Sequence, residues 1–150
     1  MRTYTNNSAN SKGHIQLLVI GSSIVRDVQA SRIEQNSPAL TMCIPGARIE
    51  DLPRTIFDIK ESSFISSMII HAGGNNVNDH TIRDPQCLSH AIIATLQAIR
   101  RRMPRTQIYY SAILPRTDDT LLPAIFFINS KIREYCMTQN ILWPLRLSDL

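Results

Sequence analysis

Apolar residues along this chain occur in two alternating patterns: short unbroken runs and longer stretches with helical spacing. Unbroken runs that end at glycine or proline are typical of strands buried on both faces of a sheet. Such runs predict strands over residues 15–21, 39–46, 65–74 and 106–115, with a further strand beginning in residues 141–145. Apolar positions three and four apart predict helices over residues 24–35, 48–59, 85–103 and 121–140.

Strand and helix alternate four times, which predicts an α/β fold whose parallel sheet carries helices on both faces. Ligands of such sheets bind outside the carboxyl ends of the strands. The residues that follow each predicted strand are therefore the first candidates for a functional site. They include residues 21–23 after the first strand, Gly46 after the second and residues 71–79 after the third.

The length and composition of the chain favour one globular domain. It has 150 residues, of which 43% are hydrophobic and 19% are charged, and this is enough for a single buried core. Residues 1–13 are polar and are predicted to form a disordered tail, so the folded domain is expected to span residues 14–150. Neither a signal-peptide core nor the ~20 apolar residues of a membrane span are visible, and a cytoplasmic or nuclear location is expected.

An arginine cluster contributes to the formal net charge of +4. Arg100, Arg101, Arg102 and Arg105 are candidates for weak contact with nucleic acid. Arginines at the end of a helix also complement the helix dipole, and no aromatic residues are interleaved with this cluster along the sequence. The helix-end interpretation is therefore favoured over nucleic-acid binding.

Metal and cofactor binding are not indicated by the sequence. The three cysteines, Cys43, Cys87 and Cys136, are far apart, and no pair has the spacing of a zinc knuckle. The four histidines share no ligand spacing with acidic residues, and the loop after the first strand has too few glycines for a dinucleotide fingerprint. We expect no metal site and no organic cofactor.

Two serines at the exit of the first strand admit two interpretations. A hydroxyl at the start of a helix either caps that helix or attacks an ester carbonyl, helped by backbone N–H groups that favour negative charge. In the second case a glycine N–H and an asparagine side chain from neighbouring strand ends would complete an oxyanion hole. Spacing alone favours the cap.

Three blocks of this sequence, in order, resemble those of the SGNH hydrolase superfamily. Residues 21–24 look like its GDSL block, Gly46 looks like the glycine of its second block, and residues 73–76 look like the G-x-N-D of its third block. The segments VIGSSIVR, PGAR, HAGGNN and LPR are most similar to esterase-like domains of vertebrate, especially fish, retrotransposons of the long-interspersed type. The resemblance implies a flavodoxin-like, three-layer α/β/α sandwich.

The same resemblance implies hydrolysis of a small, acetyl-like acyl ester through an acyl-enzyme, without a metal or an organic cofactor. Ser23 is the implied nucleophile. The implied oxyanion hole consists of the backbone N–H groups of Ser23 and Gly46 and the side chain of Asn75.

The sequence departs from the family pattern at three places. Ser22 and Asn76 stand where the family has aspartates, which removes two negative charges from the edge of the site. The D-x-x-H block that supplies the catalytic aspartate and histidine is absent, so this chain provides neither, and no histidine follows His90. Two explanations stay open: a C-terminally truncated esterase, or a non-catalytic relative that binds partners, such as retroelement RNA, through its basic surface.

Overall fold

A computed structural model of the chain describes residues 2–5, 13–33 and 37–143. The strands are β1 (Arg2–Thr5), β2 (His14–Gly21), β3 (Ala39–Cys43), β4 (Phe64–His71) and β5 (Gln107–Tyr110). The α-helices are α1 (Ala30–Ile33), α2 (Leu52–Ser62), α3 (Asp79–Arg83), α4 (Pro85–Arg102) and α5 (Leu122–Thr138). Short 3-10 helices precede α1, α2, α3 and α5, at Ser23–Asp27, Ile49–Asp51, Gly74–Asn76 and Asp119–Leu121.

The strands form one sheet with the order β1-β3-β2-β4-β5. The pairs β3–β2, β2–β4 and β4–β5 are parallel, which confirms the predicted parallel sheet and gives these four strands a flavodoxin-like order. The strand predicted at residues 141–145 is present as a single parallel bridge between Leu142 and Tyr109. Residues 144–145 lie outside the described part of the chain.

The first strand differs from the prediction of a disordered tail. Arg2–Thr5 pairs antiparallel with β3, in a register that runs from Arg2 opposite Cys43 to Thr5 opposite Leu40. Threonine and tyrosine favour strands, and β3 would otherwise present an unpaired edge to solvent. The prediction of disorder therefore does not hold for these four residues, and residues 6–12 of the same segment lie outside the described ranges.

Helices cover both faces of the sheet, as the alternating pattern predicts. On one face, α2, α4 and α5 enclose the larger core, whose fully buried side chains include Leu18, Ile20, Ile56, Met68, Ile70, Ile92, Leu96 and Ile125. On the other face, the smaller core consists mainly of Leu17, Val19, Val25, Ala30 and Ile69. Nowhere in the described ranges does a helix have the length and apolar character that crossing a membrane requires.

The single helix predicted over residues 24–35 is wrong. The chain forms the 3-10 helix Ser23–Asp27, breaks, and then forms the four residues of α1. Val28 has an extended backbone, with φ −74° and ψ 121°, and the N–H of Ala30 donates to Oγ1 of Thr41 at 3.1 Å. This bond from β3 fixes the start of the second helix, and apolar spacing along the sequence does not reveal it.

Gly21, the last residue of β2, allows the ends of β2 and β4 to lie close together. A Cβ atom at this position would lie 2.2 Å from the carbonyl oxygen of His71. The N–H of Ser22 donates to that same oxygen at 3.3 Å, and the carbonyl of Gly21 accepts from the N–H of Ile44 at 2.9 Å. Gly21 therefore joins the ends of three neighbouring strands.

Gly21→Ala should destabilise the fold, because its methyl group would have to displace backbone rather than a flexible side chain. We expect the free energy of unfolding, measured by urea denaturation, to fall by about 1–3 kcal/mol. Gly74→Ala is the matched control, since a Cβ atom at Gly74 meets nothing within 4 Å. An alanine variant at Gly21 as stable as the unmodified protein would contradict the close approach of the two strands.

A buried polar pair ties β4 to the chain after β5. His71 and Ser111 are 5% and 2% exposed, and a hydrogen bond of 2.9 Å joins Nδ1 of His71 to Oγ of Ser111. The N–H of Ser111 also donates to the carbonyl of Ile70 at 2.9 Å. Burial lowers the pKa of His71 below its ordinary value of 6.5, so the imidazole is neutral at pH 7.

Stability should therefore decline in mild acid. The unfolded chain binds a proton at His71 more readily than the folded chain does, so protonation favours unfolding. The contribution of neutral His71 is fully present above pH 6.5 and is lost as the pH falls through the lower pKa of the folded state. Urea unfolding from about pH 8 to about pH 5 should follow this decline, and His71→Gln should make it shallower. Equal pH dependence in the two proteins would contradict the assignment.

Candidate active site

A cleft of about 330 Å³ lies at the carboxyl ends of β2 and β4 and against the chain that follows β5. It occupies the position where parallel α/β sheets bind their ligands. The residues that line it come from three separate segments: Ser22, Ser23 and Ile24; His71, Gly74 and Asn75; and Ile113, Leu114, Pro115 and Arg116.

The two serines after β2 have different environments. Ser23 is exposed at the cleft, whereas Ser22 is 7% exposed. Ser22 precedes the 3-10 helix Ser23–Asp27 but its hydroxyl makes no capping hydrogen bond. The capping interpretation is therefore not supported for Ser22, and Ser23 offers the accessible hydroxyl. A long helix with a correspondingly large dipole was expected after these serines. The chain instead forms a 3-10 helix of five residues.

Asn75 reaches the same cleft from the loop after β4. Its side chain is exposed, and Nδ2 donates to the carbonyl of Ala47 at 2.9 Å. The amide carries a second N–H, which leaves one donor for a bound oxygen atom. Gly46 has a φ of 71° and precedes Ala47, but it is not among the described residues that line the cleft. The structure thus places Ser23 and Asn75 in the same cleft. Gly46 is next to Ala47, whose carbonyl accepts from the side chain of Asn75.

Asn76 joins the loop after β4 to the loop after β3. Its Oδ1 accepts from the N–H of Ile49 at 2.9 Å, and its Nδ2 donates to Oε2 of Glu50 at 2.8 Å. An aspartate, which the family pattern places here, has the acceptor but not the donor. The asparagine therefore keeps the bond to the backbone and adds a bond to a carboxylate that an aspartate would repel.

Arg116 lines the cleft although it is not among the site residues predicted from the sequence. Its Nη2 donates to the carbonyl of Gly74 at 2.8 Å, and its Nη1 donates to the carbonyl of Val77 at 3.5 Å. The guanidinium thereby fastens the loop that carries Asn75 and places a positive charge at the cleft. The LPR segment is the sequence signal that contains it.

The predicted arginine cluster divides into two groups in the structure. Arg100 is held by the protein itself, since Nη1 donates to the carbonyl of Thr106 at 2.8 Å and Nη2 donates to the carbonyl of Asn140 at 3.2 Å. The Arg100 guanidinium therefore satisfies backbone carbonyl groups near the end of α4. Arg101 is exposed.

Arg102 and Arg105 lie over aromatic rings. The guanidinium carbon of Arg102 is 4.1 Å from the centroid of the Phe57 ring, and that of Arg105 is 5.1 Å from the centroid of the Phe64 ring. Aromatic side chains are thus interleaved with these arginines in space although they are absent from the cluster in the sequence.

His80, Asp84 and Cys87 form a cluster outside the cleft. One ligand atom from each lies within 4.8 Å of the other two. The expectation that the histidines share no ligand spacing with acidic residues missed this group, because His80 and Asp84 are brought together by the end of α3, a helix that the apolar pattern does not predict.

Comparison with known proteins finds similarity at the level of structure. No family model matches the chain, and no curated protein matches it. The esterase domain of the ZfL2-1 ORF1 protein from the zebrafish ZfL2-1 retrotransposon is 29% identical over 85% of this chain and 76% of that chain. Its TM-score of 0.36 is too low for any conclusion about the fold.

Other solved structures superpose more closely. A Streptococcus pneumoniae protein, provisionally assigned as a platelet activating factor, gives a TM-score of 0.64 at 18% identity, over 87% of this chain and 65% of that chain. Axe2, an acetylxylan esterase from Geobacillus stearothermophilus, gives a TM-score of 0.62 at 15% identity, over 89% of this chain and 77% of that chain. This chain thus spans 65% of the length of the streptococcal structure.

A third similar structure, from Parabacteroides merdae, is provisionally assigned as a GDSL-like lipase. It has a TM-score of 0.64 at 15% identity and covers 88% of this chain and 77% of that chain. At these identities the shared property is the arrangement of sheet and helices rather than any particular residue. Because that arrangement extends over at least 87% of the chain in each superposition, the protein has an SGNH/GDSL-like fold.

Proposed function

We propose that this chain is a serine esterase domain that takes a small acyl group, such as acetyl, onto Ser23. The observation that carries the proposal is the pairing, in one cleft, of the exposed Ser23 hydroxyl with the Asn75 amide. Attack by Ser23 Oγ on an ester carbonyl would place the developing oxyanion near the free N–H of Asn75. Acetylxylan esterases and GDSL-like lipases are among the proteins with this fold, which supports the same reaction class.

Proton transfer limits the reaction that this chain performs. A serine hydroxyl is a weak nucleophile at neutral pH without a general base, and the sequence has no D-x-x-H block to provide one. His71 lines the cleft, but its Nδ1 is bonded to Ser111. In a serine hydrolase the base also activates the water that releases the acyl group. Without that base the Ser23 proton passes to solvent, and an activated ester such as p-nitrophenyl acetate still reacts because its p-nitrophenolate leaves without taking up a proton. The serine ester that forms has no such leaving group, so we expect slow acylation followed by still slower release, and the acyl-enzyme accumulates.

The test is to incubate the protein with p-nitrophenyl acetate and follow the intact mass. We expect one acetyl group per chain, located on Ser23 by peptide mapping, and absent from Ser23→Ala. Ser22→Ala is the matched control, since it removes the neighbouring buried hydroxyl and should leave the adduct in place. Asn75→Ala should slow acetylation by about 10²–10³-fold through the loss of an oxyanion donor. No adduct, or an adduct that persists in Ser23→Ala, would overturn the proposal.

A second candidate function, binding of single-stranded RNA, is favoured by the arginine–phenylalanine pairs. Lys60, Arg102 and Arg105 line a groove of about 230 Å³ together with Phe64, whose side chain is 41% exposed. A guanidinium stacked on an aromatic ring keeps its N–H edge free for phosphate, and its outer face is able to stack on a base. Phe64 begins β4, so this groove lies at the end of the strands opposite the cleft.

Fluorescence polarisation with a single-stranded RNA oligonucleotide tests this candidate. Affinity should fall as salt rises, and Arg102→Gln with Arg105→Gln should weaken binding and lower the salt slope by about one per lost phosphate contact. Arg133→Gln, at an exposed arginine of α5, is the control and should bind like the unmodified protein. Ser23→Ala should also bind normally. Equal affinity in the double variant and the control would rule out this groove.

A further inference from the structure

His80, Asp84 and Cys87 form an exposed triad at the junction of α3 and α4. His80 lies in α3, Asp84 lies between the two helices, and Cys87 lies in the first turn of α4. All three side chains are exposed, and one ligand atom of each lies within 4.8 Å of the other two. The group thus combines a nitrogen, an oxygen and a sulfur ligand at a solvent-accessible point.

Backbone hydrogen bonds hold this triad together before any ligand arrives. The N–H of Asp84 donates to the carbonyl of His80 at 2.9 Å, and the N–H of Cys87 donates to Oδ1 of Asp84 at 3.2 Å. Asp84 therefore has a fixed position in which one carboxylate oxygen caps α4 and the other is left for a ligand. Within the described ranges, no hydrogen bond occupies the His80 ring or the Cys87 thiol.

We propose that His80, Asp84 and Cys87 bind a single divalent zinc-type ion. In a tetrahedral site with bonds of about 2.0–2.3 Å, ligand atoms lie roughly 3.3–3.5 Å apart. Exposed side chains close the remaining distance by rotation about their χ angles. The sulfur ligand selects Zn²⁺ or Co²⁺ over Mg²⁺ and Ca²⁺, which require oxygen ligands. Cys87 gives up its thiol proton to solvent on binding, and a water molecule occupies the fourth position.

The groove around the triad supports this assignment. It has a volume of about 320 Å³ and includes Glu50 and Arg48 as well as Asn76. The Glu50 carboxylate adds negative charge near the ion, and the Arg48 guanidinium opposes it. Oε2 of Glu50 accepts from Asn76 at 2.8 Å, and Glu50 is not in the group whose ligand atoms lie within 4.8 Å of one another. This groove is lined by Asn76 and Asn78, whereas the cleft with Ser23 is lined by Gly74 and Asn75, so the ion would lie in a separate cavity.

Titration of the metal-free chain with Co²⁺ tests the proposal directly. We expect one ion per chain, with a thiolate-to-cobalt charge-transfer band in the near-ultraviolet spectrum, and displacement of cobalt by Zn²⁺. Cys87→Ser should abolish the band. His80→Gln should weaken Zn²⁺ binding by roughly tenfold or more, and Asp84→Asn should do the same while keeping a residue that caps helices well.

His90→Gln is the matched control, because His90 is an exposed histidine of α4 outside the triad. It should bind Co²⁺ like the unmodified protein. Cys43 and Cys136 are buried and should not supply the thiolate. Failure to bind Co²⁺, a band that survives Cys87→Ser, or Mg²⁺ binding with equal affinity would each overturn the proposal. None of these readouts depends on Ser23 or on ester hydrolysis.

Discussion

The close approach of β2 and β4 at Gly21 is the constraint on which the site depends. Because Gly21 has no side chain, the carbonyl of His71 is able to accept from Ser22 at 3.3 Å. That contact sets where β2 ends and where the chain turns towards Ser23. It also fixes the end of β4, from which the loop with Asn75 departs. A bulkier residue at this one position would move Ser23 and Asn75 relative to each other.

The loops beyond the strand ends are then fixed to each other by side chains that bond to backbone. Asn76 accepts from Ile49, and Arg116 donates to Gly74. From α5, Asn129 accepts from the N–H of Ile113 and donates to its carbonyl, both at 3.0 Å. Such bonds satisfy loop backbone groups that no strand ladder reaches. The loops that form and support the cleft are therefore fixed by hydrogen bonds from three side chains, those of Asn76, Arg116 and Asn129.

Apolar patterning predicts the sheet because each buried strand must be continuous in apolar residues, and the first run ends correctly at Gly21. The strands predicted over residues 65–74 and 106–115 extend beyond the observed ends at His71 and Tyr110. The pattern fails where a side chain distant in sequence decides the local structure. Thr41 of β3 accepts from the N–H of Ala30 at the point where the helix predicted after β2 is interrupted. Such hydrogen bonds join residues by geometry that no periodicity along the chain records.

The same limit applies to the sites. Strand ends in the sequence pointed to residues 21–23 and 71–79, and the family resemblance singled out Ser23 and Asn75 within them. The aromatic partners of Arg102 and Arg105, by contrast, come from residues far from them in sequence. A surface or a ligand cluster assembled across elements becomes visible only once the elements are packed. The site at the carboxyl edge of the sheet is therefore more predictable from the sequence than the groove at the opposite end of the strands.

The charge of the cleft follows from the side chains that line it, among which Ser22 stands where the resemblance has an aspartate. No acidic residue is among the described residues that line the cleft. Among the described residues that line the cleft, Arg116 carries the formal charge. The buried His71 is neutral at pH 7 because burial lowers its pKa. A positive, partly enclosed cleft stabilises a developing oxyanion and disfavours an imidazolium. The electrostatics of the cleft would therefore favour the oxyanion through which both steps of the proposed reaction pass, and they disfavour His71 as the group that carries the proton.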